Sequence, residues 1–151
     1  MDAWRVLYAP AGAQLARRPQ PAGLREAACL GECAVECSSA LSLPPWDSPL
    51  LADLKLSRDE TDQLLGLRYA FDASYGQGPV HQMAGHPRAI QGDMAYALPD
   101  EGQPWVLLFQ LDSDDAADVM WGDGGRLYFW ITASELQKLQ FDRVRLVFQC
   151  G

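Results

Sequence analysis

Apolar positions cluster toward the carboxyl end of the chain in the manner of strands. WVLLFQL, residues 105–111, is a nearly continuous apolar run of the length a buried central strand has. RLYFWI, residues 126–131, carries bulky aromatic side chains that fit a pleated surface, and VRLVFQC, residues 144–150, closes the chain as another strand. Two earlier segments carry weaker strand signals. WRVLY, residues 4–8, alternates imperfectly and is stopped by Pro10; CAVECSSALSL, residues 33–43, is rich in small, β-compatible residues and ends at Pro44 and Pro45.

Helical patterning occurs twice. Ser57, Arg58, Asp59 and Glu60 spell a capping box, with Leu64, Leu65 and Arg68 following at helical spacing, and the helix is predicted to end before Gly76. Asp59, Glu60 and Asp62 suit its positive end. A second capping box, from Thr132 to Glu135, predicts a short helix through Leu139. Residues 11–24 and 74–104 are dense in glycine and proline and read as turns and loops. Strands outnumber helices, which predicts an α+β fold with a mainly antiparallel sheet, one medium helix and one short helix. With 151 residues and no internal repeat, a single domain over 1–151 is expected.

Charge narrows the partners. Twenty acidic residues against 12 basic ones leave a net charge of −8, which repels phosphate backbones and anionic lipid, so neither nucleic acid nor a membrane is an expected partner. A basic protein is favoured. The first residues show no secretion signal, and no segment reaches the roughly 20 apolar residues of a bilayer span, so a cytoplasmic protein with free thiols is expected.

HQMAGHPRAIQGD, residues 81–93, holds both histidines. His81, His86 and Asp93 are of the types that bind zinc, but they lack ligand spacing, and Pro87 bars the helix that would bring two imidazoles onto one face. The segment reads as architecture: Gly85 and Gly92 take backbone angles closed to other residues, while His81, Gln82 and Gln91 satisfy amides in an irregular loop. Gly125, which precedes the strand at Arg126, is assigned to the same structural set.

In the acidic stretch 112–125, Asp112, Asp114, Asp118 and Asp123 match four positions of a calcium-loop template, but Ala116 and Ala117 stand where an oxygen ligand and a glycine are needed. A solvated connection with turn-capping aspartates is the expectation. Cys29, Cys33 and Cys37 recur every fourth residue without an iron–sulfur spacing, and read as packing residues. No nucleophile elbow and no phosphate-cradling loop is present. Trp46, Trp105, Trp121 and Trp130 read mainly as core, with Trp121 kept as a surface candidate beside the aspartates. No cofactor, metal site or catalytic residue is expected.

The motifs HQM and GHP around residues 81–87, IQGD at 90–93, LLFQLDSD at 107–114, MWGD at 120–123, GRLYF at 125–129 and the closing FDRVRLVFQC occur in an order that closely resembles the YwqG-like family of bacterial proteins of unknown function. The resemblance is strongest over residues 69–151 and looser before Pro45. It implies an α+β fold and no established reaction. In that family the place of His86 often carries tyrosine. Members are usually longer, with an additional amino-terminal half, so the resemblance implies that this chain lacks that half. An uncovered sheet edge and apolar surface would follow, and with them a homodimer or a docked partner.

Two function classes follow from the sequence. The first is a non-enzymatic interaction module whose candidate binding residues are Asp112, Asp114, Asp118, Trp121 and Asp123, with an immunity-type inhibitor of a cationic toxin as its concrete form, since the resemblance extends to proteins encoded near toxins. The alternatives are a metal-dependent hydrolase built on Asp112, Asp114 and Asp123, and a small-ligand or glycan binder using tryptophans.

Overall fold

A computed structural model of the chain describes residues 4–17, 19, 22–23, 30, 32–76 and 78–151. The sheet is an antiparallel four-stranded meander in the order β1-β2-β3-β4, with β1 at Gln82–Met83, β2 at Trp105–Asp112, β3 at Arg126–Thr132 and β4 at Arg145–Gln149. The helices are a single turn, α1, at Pro49–Ala52; the 17-residue α2 at Arg58–Ser74; and α3 at Ala133–Gln137. The fold is therefore α+β and mainly sheet, with one medium helix.

Both capping boxes form. Glu60 accepts from the Ser57 amide at 2.8 Å while the Ser57 hydroxyl oxygen accepts from the Glu60 amide, and the Glu60 carboxyl is held below its ordinary pKa by these bonds to Ser57. Thr132 and Glu135 repeat the arrangement at α3. That helix stops at Gln137, two residues short of the expected Leu139, which takes a left-handed φ of 56° and turns the chain toward β4.

Register decides what each sheet face carries. Gln82, Gln110, Tyr128 and Val147 form one row across the strands; Asp112, Arg126 and Gln149 form the next; Leu107, Trp130 and Arg145 form a third. Residues in register share a face, so all ten lie on one side of the sheet. A bulge between Leu107 and Phe109 reverses the alternation of β2, so that Leu107 before it and Gln110 and Asp112 after it point the same way. The irregular segment 84–98 covers this face, and Met94, Leu107, Tyr128 and Val147 pack as a buried cluster beneath it, joined by Ala89, Leu98 and Trp130.

The opposite face is apolar. Its rows are Met83, Phe109, Phe129 and Leu146, then Leu111, Leu127 and Phe148. Phe109 and Phe129 stack with ring centroids 6.2 Å apart, yet none of the seven is buried, and Met83 and Phe148 are 72 % and 47 % exposed.

Two expected strands do not form. Residues 4–8 are extended but unpaired: Trp4 and Val6 turn inward, the Trp4 indole donating to the Val144 carbonyl at 3.3 Å, while Leu7 is 82 % exposed. With one side of the segment in water and Pro10 unable to donate, contact with residues 141–144 is made by side chains rather than by a ladder. Residues 33–43 likewise pair with no strand, and Val35 and Leu41 are open to solvent. Their small side chains offer little area to bury, and β1 already occupies the edge of β2. Side chains hold the end of this segment instead: Tyr75 donates to the Leu41 carbonyl, and Arg68 to that of Pro44. The cysteine repeat falls partly on Cys29, which lies outside the described residues; Cys33 and Cys37 are exposed, so packing does not explain them.

Candidate functional site

The polar residues of the covered face are spent on backbone. Gln110, fully buried, accepts the Arg88 amide with its Oε1 and donates its Nε2 to the Val80 carbonyl, at 2.9 and 2.8 Å. Gln149, 1 % exposed, does the same further along, accepting the amides of Ile90 and Gln91 and donating to the Gly92 carbonyl. Gln82 donates to the carbonyls of Ala84 and His86. Three glutamines from three strands thus replace the ladder that an irregular segment cannot make with a neighbour. Two of them, Gln110 and Gln149, are absent from the sequence-derived site; the available signal was a lone carboxamide inside each of the apolar runs WVLLFQL and RLVFQ.

Asp112 and Arg126, in register on adjacent strands, form an ion pair with side chains 8 % and 15 % exposed. The same Asp112 oxygen accepts the Val80 amide at 2.8 Å. Arg126 also donates to the Arg88 carbonyl, which the Tyr128 hydroxyl reaches at 2.9 Å. Burial, foremost, pushes the Tyr128 phenol above its ordinary pKa.

His81 stands where this network meets the acidic connection. Its Nδ1 accepts the Asp112 amide at 3.2 Å and its Nε2 lies 3.0 Å from Asp114 Oδ2. An imidazole that accepts at Nδ1 carries its proton on Nε2, so His81 donates to Asp114 and links the two aspartates in one tautomer. The Asp114 carboxyl is held below its ordinary value, first by His81 and then by the Ala116 amide that its Oδ1 accepts.

The connection from β2 to β3 is closed from within. Ser113 Oγ donates to the Gly125 carbonyl and accepts the Trp121 amide, and the Trp121 indole donates to the Asp112 carbonyl at 3.2 Å. Asp114 bridges to Val119, and Asp118 adopts a left-handed φ of 52°. Gly125 is enclosed: a methyl group there would stand 2.6 Å from the carbonyl oxygens of both Gln149 and Trp121. Asp115, Asp118, Asp123 and Met120 face solvent.

The candidate binding residues are therefore separated. Asp112 is buried in its ion pair, Asp114 is engaged by His81, Trp121 lies partly under the connection, and only Asp118 and Asp123 are open. Among the described residues no three His, Cys, Asp or Glu side chains are grouped to hold an ion. In the 81–93 segment Gly85 and Gly92 take φ of 72° and 89°, and Pro87 is buried. Ser42 and Asp47 abut the two glycines, Asp47 accepting the Asp93 amide while Asp93 caps that of Ala95. Gln91 is exposed and contributes its backbone amide rather than its side chain.

The tryptophans do not form one platform. Trp105 and Trp130 line a cleft of about 640 Å³ together with His86, Asp93 and Leu136, whereas Trp46 lines a separate apolar hollow of about 450 Å³ between residues 43–56 and α2.

A meander whose polar face clamps an irregular segment and whose apolar face stands open is the class these features define. The chain belongs to the family described as domain of unknown function DUF1963, whose model matches residues 1–150. No curated protein matches it. Among the described residues, no helix is long and apolar enough to cross a membrane.

Proposed function

We propose that the protein is a non-enzymatic interaction module that meets a basic protein partner through the open apolar sheet face and the aspartates of the β2–β3 connection. The observation that carries this reading is the asymmetry of the sheet: the polar groups of one face are consumed in holding the fold, while seven apolar side chains on the other remain uncovered beside Asp115, Asp118 and Asp123. Open apolar surface with a charged rim is the anatomy of a contact site. Acidic side chains at its border accelerate encounter with a cationic partner. The YwqG-like resemblance is consistent with the family found, and an immunity-type inhibitor of a cationic toxin is the concrete form of the proposal.

The test is affinity capture from the native host with wild type and two surface variants, Met83→Ser with Phe148→Ser, and Asp115→Asn with Asp118→Asn and Asp123→Asn. The expected result is a basic protein retained by wild type, lost by the apolar variant, and associating more slowly with the acidic variant and at higher salt. Equal capture by all three, or association indifferent to salt, would overturn the proposal.

A further inference from the structure

Among the described residues β4 pairs with β3 alone, which leaves its second edge without a strand. Edges of this kind are ordinarily blunted by proline, by a bulge or by shortness. Here β1, at the far side, has two residues, but β4 has five, pairs with β3 without interruption, and contains neither proline nor glycine. The edge is also where the open face ends, at Leu146 and the 47 % exposed Phe148.

We propose that β4 pairs with β4 of a second copy of this chain, antiparallel, about a twofold axis at Val147. The geometry points to this occupant because the strand is complementary to itself. A twofold axis perpendicular to a sheet opposes residues of the same face, so it must pass through a residue, and only Val147 leaves all five positions of Arg145–Gln149 paired. In that register Leu146 opposes Phe148 of the copy, and Phe148 opposes its Leu146, on the apolar face. On the other face Arg145 opposes Gln149, so no like charges meet, whereas an axis at Arg145 would set two guanidinium groups against each other. Both apolar rows then run unbroken across eight strands, and the half-exposed Phe148 gains the cross-strand neighbour it lacks. The acidic connections remain outside the contact, so the pairing does not depend on the partner reading above.

The experiment is sedimentation of the full chain over a range of concentrations, with hydrogen exchange at the amides of 145–149 followed in parallel. The expected result is a dimer in which these amides slow as the dimer fills, and a Phe148→Lys variant, exposed enough to fold, that dimerises about tenfold more weakly or worse because the axis applies the loss twice. A chain that stays monomeric at every concentration overturns the pairing, as does a dimer with unchanged exchange at 145–149. Amides already protected in the monomer overturn it too, since the chain would then cover its own edge. A monomer that still retains a basic partner removes the pairing while leaving the proposed function standing.

Discussion

Asp112 and Arg126 oppose each other across β2 and β3 with Oδ2 and Nη2 2.5 Å apart, and this buried pair faces the segment that the sheet holds down. Removing one charge strands the other in a place where water cannot fully replace it. Asp112→Ala is expected to cost about 3–5 kcal/mol, read from urea unfolding. Replacing both together, Asp112→Leu with Arg126→Met, should cost less than the single change, since the Arg88 carbonyl keeps the Tyr128 hydroxyl. A double variant weaker than Asp112→Ala would mean that the pair contributes more than its charges.

Gln149 supplies one oxygen to two amides and one nitrogen to a carbonyl. Gln149→Leu should lose about 2 kcal/mol, the cost of leaving partly enclosed backbone groups without partners. Hydrogen exchange at Ile90 and Gln91 should accelerate before the sheet amides respond. The neighbouring change Gln91→Leu, on an exposed side chain, should stay within about 0.5 kcal/mol of wild type.

The bond between His81 and Asp114 gives a pH dependence with a definite sign. A carboxyl whose folded pKa lies below its ordinary 3.8 adds stability that is present above that value and is lost as pH falls through the lower folded one. Carbon-detected NMR should place the Asp114 midpoint below 3.8, and His81→Ala should move it upward. An unmoved midpoint would assign the depression to the Ala116 amide instead.

Adjacent glycines should respond differently. Gly124 has a φ of 64° with open space around it, so Gly124→Ala meets only the left-handed strain of about 1–2 kcal/mol. At Gly125 the added carbon would stand 2.6 Å from two backbone oxygens, which cannot swing aside. Gly125→Ala should therefore lower the melting temperature by at least twice the shift seen for Gly124→Ala.

The carboxyl-terminal strands and both capping boxes were legible because each rests on a local signal: an apolar run, or a serine or threonine three residues before a glutamate. The strands expected at 4–8 and 33–43 failed because pairing is decided by a neighbour that local pattern does not reveal. The same limit governs the site. Gly85 and Gly92 announced their backbone angles, but the role of Gln110 and Gln149 depends on which face they occupy, and for Gln110 that depends on a bulge three residues of apolar sequence conceal. The aspartates of 112–123 looked like one acidic surface, yet the side-chain alternation of β2 sends the first of them inside.

The supernumerary Leu108 also makes chain length, locally, a more exacting constraint than chemistry. Exchanging one aliphatic residue for another between Leu107 and Phe109 leaves the phase of β2 intact. Losing a single residue there would invert everything downstream, presenting a carboxamide and a carboxylate to solvent and driving Phe109 and Leu111 under the loop. The strand works as a counted interval, and an otherwise harmless deletion within it would undo the protein without altering its overall character.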